Sequence, residues 1–206
     1  MISYQPASLC NMPGSLSQRR EATARGLLLI TLFMVALLAA FPAHAQLFGG
    51  GMKDAIKNDD AADVRNQLVS GKSATAKDAE GTPMLVYAAS LDRVLIGRLL
   101  LQSGARMNDK DATGETALTM AIRKGNRDFA KMLLDQEADP NVAGPNGETP
   151  LMVAIVTGSS DLVQALVNAK ADVDAGDYTG RTPLAEAERR GLRRIVDILR
   201  KAGAAE

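Results

Sequence analysis

Self-similarity at a fixed period constrains this chain more than any other feature of its sequence. Gly81, Gly114, Gly147 and Gly180 stand 33 residues apart, and Leu85, Leu118, Leu151 and Leu184 keep the same interval. So do Ala88, Ala121, Ala154 and Ala187; Leu100, Leu133, Leu166 and Leu199; and Ala105, Ala138, Ala171 and Ala204. Five columns in register over four units are beyond coincidence. A period of this length marks a repeat architecture, in which each unit buries its apolar face against the next.

Each unit reads as a turn followed by two helices. GETPL at 147–151 and GRTPL at 180–184 place a glycine in a tight turn, where positive φ costs little. Thr149 and Thr182 suit the N-cap, and Pro150 and Pro183 the first helical position, where no N–H is needed. Leu118, Ala121 and Ile122 then recur at i, i+3, i+4 along one apolar face, and Gly125, Gly158 and Gly191 end this first helix. A second helix carries Phe129, Met132 and Leu133 in one unit and Ile195, Ile198 and Leu199 in another.

A 33-residue unit of D-x-x-G-x-T-P-L followed by two short helices resembles the ankyrin repeat. The units here are DAEGTPML from Asp78, DATGETAL from Asp111, GPNGETPL from Gly144 and DYTGRTPL from Asp177. The resemblance implies an all-α solenoid of antiparallel helix pairs joined by β-hairpin-like turns. Its four repeats span 78–110, 111–143, 144–176 and 177–206. Ala55 falls in the column of Ala88, and DVRNQLVSG at 63–71 is similar to a second helix, so 53–77 reads as an N-terminal half-repeat cap within a domain at 53–206.

Several positions depart from the family pattern. The histidine usual after T-P-L is replaced by Val86, Thr119, Met152 and Ala185, removing a polar link between repeats. In the first unit Thr82-Pro83 sit one residue early, so an irregular helix start is expected there. Glu137 and Lys170 replace the glycine seen at Gly104 and Gly203, which puts strain at those helix ends. Glu186, Glu188 and Arg200 stand where inner repeats are apolar, which suits a terminal repeat whose outer face meets water.

The amino-terminal stretch has a different character. Arg19, Arg20 and Arg25 precede an apolar run from Leu27 to Phe41, 15 residues without a charge, which Pro42 ends. Ala43-His44-Ala45 supplies the small residues that a signal peptidase reads, so 1–45 reads as a secretory signal peptide cut between Ala45 and Gln46. A permanent span needs about 20 apolar residues, and this run is shorter. Residues 46–52, with Gly49-Gly50-Gly51, read as a flexible leader.

Export narrows the available chemistry. Cys10 and His44 are the chain's single cysteine and histidine, and both precede the cut. Disulfides, thiolate nucleophiles, thiolate or imidazole metal sites and histidine bases are therefore excluded from the mature protein. Loss of three arginines and one glutamate from a net charge of zero leaves it mildly acidic, which argues against nucleic-acid binding. Gly71-Lys72-Ser73 ends like a phosphate-binding loop, but Asn66 stands where its first glycine belongs. DKDATG at 109–114 starts like a calcium loop, but Met120 replaces the required glutamate. No cofactor or metal is expected. An enzyme would have only carboxylates, hydroxyls, Lys and Arg, and no pair of them is singled out.

The resemblance implies a non-catalytic scaffold that binds another protein on a concave side, lined by turn tips and the exposed face of each first helix. Carried over by column, the tips are Glu80, Glu115, Pro145, Asn146, Glu148, Tyr178 and Arg181. The helix positions are Leu91, Arg123, Lys124, Thr157, Arg189 and Arg190, with Lys110 at the hairpin edge. Acidic tips beside basic helix positions imply a partner of mixed charge. The expected product is a monomer in the periplasm or secreted, inhibiting or stabilising another exported protein and free of the membrane once cut. The alternative is a membrane-tethered adaptor that keeps its apolar run.

Overall fold

The computed structural model describes residues 51–205; the signal peptide expected at 1–45, its expected cut between Ala45 and Gln46, and residues 46–50 lie outside them. Ten α-helices in five pairs account for most of the described residues. They are α1 (Met52–Lys57) with α2 (Ala61–Val69), α3 (Met84–Ser90) with α4 (Val94–Gln102), and α5 (Ala117–Lys124) with α6 (Arg127–Asp135). α7 (Pro150–Val156) with α8 (Ser160–Asn168) and α9 (Pro183–Arg189) with α10 (Arg193–Lys201) complete the set. First helices pack on first helices and second on second, giving two layers. Among the described residues there is no strand, only one isolated bridge between Lys77 and Pro83. Met52, assigned by sequence to a flexible leader, is instead buried in the first turn of α1, because its side chain belongs to the apolar core.

The turns are closed by their own backbone. Asp78, Asp111, Gly144 and Asp177 donate N–H to the carbonyls of Thr82, Glu115, Glu148 and Arg181 at 3.0, 2.9, 2.8 and 3.0 Å. A carboxylate oxygen of Asp78, Asp111 and Asp177 also takes two further N–H groups from its own turn, as at Glu80 and Thr82. Gly144 lacks that carboxylate, and there Pro145–Gly147 form a short 3-10 turn with Asn146 at φ 61°.

The helix starts follow the residue at the N-cap. Thr116, Thr149 and Thr182 accept N–H bonds from Thr119, Met152 and Ala185, with Pro150 and Pro183 opening α7 and α9. Thr119 also returns its hydroxyl to the Thr116 N–H, a capping box in the column where histidine was missing. The displaced Pro83 is itself the N-cap of α3 and supplies no side-chain bond. Positive φ recurs at the ends of first helices, and this column includes Asp59 and Asp92 as well as Gly125, Gly158 and Gly191. Glu137 and Lys170 adopt φ of 63° and 68° in the glycine column after the second helices.

The layers are held by small residues facing large ones. Ala88, Ala121, Ala154 and Ala187 are all fully buried where first helices meet. In α4, Gly97 leaves room for Phe129 of α6: a Cβ built there would lie 2.6 Å from the ring tip. Lost histidine links are replaced by others. The Lys77 and Lys110 ammonium groups reach the Lys110 and Ala143 carbonyls at 3.3 and 2.8 Å, and Asn126 donates to Ala89 at 2.6 Å.

Candidate functional site

The turn tips and first helices place half of the residues singled out by sequence in three ion clusters, one after another along the stack. In the first, Lys53 of α1 bonds Asp78 at 2.8 Å and Glu80 at 2.7 Å, and its ammonium lies 5.3 Å from the centre of the Tyr87 ring. The two carboxylates hold the Lys53 ammonium well above its ordinary pKa, with the Asp78 hydrogen bond the larger cause. Burial pushes Asp78 upward, but its bonds from Lys53 and the Thr82 N–H prevail and bring it down to about 2.

In the second cluster Arg123 of α5 bridges Glu115 at 2.8 Å and Glu148 at 3.2 Å. Glu115 was expected at an exposed tip and is instead buried, only 5% exposed. The Arg123 guanidinium lies on one of its oxygens, and Oε2 finds no hydrogen-bond partner among the described residues.

The third cluster is built on Glu186, which is 2% exposed. The outward, solvated position expected for it is therefore corrected: Arg189 at i+3 in α9 and Arg190 at i+4 just past its end fold over it at 2.7 and 2.5 Å. Their hydrogen bonds, Arg189 first, bring its carboxyl down to about 2 against the opposing effect of burial. Arg181 lies 3.8 Å from Glu186 and bonds Asp177 at 2.8 Å. Asp177 is also brought to about 2, chiefly by the Thr179 hydroxyl, with N–H groups of Arg181 and Thr179 adding to it. Arg190 further donates to the Val156 carbonyl at 3.1 Å, tying α9 to α7.

Other positions separate from these clusters. Tyr178 is 83% exposed, its N–H bonds the Asn146 carbonyl at 3.0 Å, and its ring covers Gly147, where a Cβ would lie 2.6 Å from it. Pro145 packs beside Gly114 of the preceding turn. Lys124 and Thr157 are exposed, the Thr157 hydroxyl returning to the Ala154 carbonyl. Leu91 is half-buried against the core, and Lys110 is exposed but spends its ammonium on the next turn.

The family model described as Ankyrin repeats (3 copies) matches residues 52–144 and again 138–205. The chain belongs to the ankyrin-repeat family. No curated protein matches it. Ankyrin repeats are protein-binding scaffolds, and in this ankyrin-repeat chain half of the binding candidates are side chains held by ion pairing. Lys53, Tyr87, Asp177, Val156 and Glu186 were not among the binding candidates drawn from the sequence. A signal for Glu186 was available: it shares a column with Tyr87, Met120 and Val153, all at least half-buried, and carries arginines at i+3 and i+4. Among the described residues no group of His, Cys, Asp or Glu could hold a metal ion, and no helix is long and apolar enough to cross a membrane.

Proposed function

We propose that this protein is an exported, non-catalytic, monomeric scaffold that binds another protein through its turn tips and first helices, in the periplasm or after secretion, and inhibits or stabilises an exported partner. The observation that carries the binding reading is the row of half-exposed charged side chains already fixed by one another, from Lys53 to Arg190. Ordering long side chains costs conformational entropy on binding, and pairing in the free protein removes part of that cost before a partner arrives. Support for export comes from the order of arginines, apolar run and small residues that ends at Ala45.

Co-purification from the native envelope, followed by identification of what is bound, tests the binding reading. Once a partner is in hand, Tyr178→Ala, Arg123→Glu and Arg190→Glu should each weaken it, while Lys131→Glu, at an exposed position of α6, should not. Loss of binding in the control alone would assign the partner to the second helices. Amino-terminal sequencing of the exported protein tests the rest: a start at Gln46 fits cleavage, and a retained apolar run makes the protein a tethered adaptor.

A further inference from the structure

Charge along the turn-and-first-helix face is ordered. At Arg123 one guanidinium serves two carboxylates, Glu115 and Glu148, so that end of the pair of clusters has a surplus carboxylate. At Glu186 the ratio reverses, one carboxylate taking both Arg189 and Arg190 while Arg181 is held by Asp177. Here guanidinium is in surplus. Arg has five N–H donors, and Glu186 uses two of those on Arg189, through Nε and Nη2.

Between the two clusters the face turns apolar. The column that holds Arg123 and Arg189 has Val156 in the intervening unit, 37% exposed, and Tyr178 stands at the adjoining tip. These are two of the four large apolar side chains exposed among the described residues; the other two, Val69 and Leu95, belong to second helices. Arg123 touches Glu148, Glu148 follows the glycine under the Tyr178 ring, and Arg190 joins the Val156 carbonyl to Glu186.

Taking this face as the docking surface, we infer that it receives a protein segment with an apolar side chain flanked by a Lys or Arg on one side and by an Asp or Glu on the other. The apolar group covers Tyr178, the cation meets Glu148, and the carboxylate meets the remaining donors of Arg189 and Arg190. An apolar centre that excludes water between charged edges is the arrangement in which edge charges set register and orientation. A uniformly acidic partner is repelled at Glu148, and a uniformly basic one at Arg189 and Arg190. An anionic lipid surface or a nucleic acid would use the arginines alone and would be indifferent to Tyr178 and Glu148.

A phage-displayed library of random dodecapeptides, panned against the purified full chain, supplies the probes. Enriched peptides made synthetically are then titrated against the wild type, Tyr178→Ala, Tyr178→Phe and Glu148→Lys, each checked for native circular dichroism. The expected winners carry opposite charges on the two sides of an apolar residue. Tyr178→Ala should weaken them about tenfold or more, with Tyr178→Phe retaining most of the affinity. Panning against Glu148→Lys should shift the winners to peptides acidic on both sides. Winners of a single charge, winners indifferent to both Tyr178→Ala and Glu148→Lys, or no enrichment would each overturn the assignment. The broader protein-binding reading fails on a different result, the absence of any partner from the native envelope.

Discussion

The seam between neighbouring repeats and the face made by turns and first helices share one 33-residue register but treat it differently. In the seam the column of Ala88 keeps alanine in every unit, because the helices approach until nothing larger fits. On the face the column of Arg123 reads Ser90, Arg123, Val156, Arg189, and the column of Glu115 changes sign at Arg181. A buried position is judged by the volume its neighbours leave, and a face position by the partner it meets. Gly97 shows that even the seam tolerates exchange when sizes are swapped across it, since its column holds Ala130, Val163 and Val196 elsewhere. Phe129 fills there what the side chain of Gly97 gives up.

The strongest way to break this comparison is to enlarge the seam. Ala121→Leu should lower the unfolding free energy by about 1–3 kcal/mol, read from urea denaturation, because a fully buried alanine has no room for three more carbons. An unchanged midpoint would mean that the helices are not in this register. Gly97→Ala should destabilise by about 1–2 kcal/mol, although alanine is the better helix former, since the new Cβ meets the tip of a fully buried ring. Trimming the ring with Phe129→Leu in that background should recover part of the loss, a coupling that separates packing from propensity.

The ion clusters should give a smaller effect that depends on pH. Asp78, Asp177 and Glu186 have folded-state pKa values lowered to about 2, so their contribution is complete above the ordinary carboxyl range. It is lost as pH falls from about 4.5 to about 2, where the folded state must give up carboxylates that the unfolded chain has already protonated. Glu186→Gln should cost about 1–2 kcal/mol near neutral pH, discounted because its arginines are half in solvent, and should flatten the acid limb of a stability profile. A profile with the same acid slope in the variant would detach Glu186 from acid sensitivity. The smallest effect has the opposite sign: Glu137→Gly should raise stability by about 1 kcal/mol or less, seen as a higher melting temperature, by relieving a positive φ at an exposed helix end.

Residues whose state depends on their own unit were legible in advance. Thr149 and Thr182 cap the helices that Pro150 and Pro183 open, and Glu137 and Lys170 take the left-handed conformation of the glycines they replace. Asp59 and Asp92 escaped notice because the glycine column was traced only through Gly125, Gly158 and Gly191, and aspartate tolerates that conformation better than most residues. Burial of Glu115 and Glu186 escaped for another reason. Glu115 lies at a turn tip open in principle and Glu186 in a column that the inner repeats bury, and what covers each is a long arginine side chain.

The period, the turns, the caps and the small-residue columns follow from the sequence alone, since each depends on backbone geometry or excluded volume within a unit and its copy 33 residues on. The ion clusters of Lys53 and Arg123, the pairing of Gly97 with Phe129 and the cover of Gly147 by Tyr178 were decided only when the units stacked, whereas Glu186 is paired within its own unit. Charge pairing and side-chain direction have several local solutions of similar energy, and it is the neighbouring repeat that selects one of them.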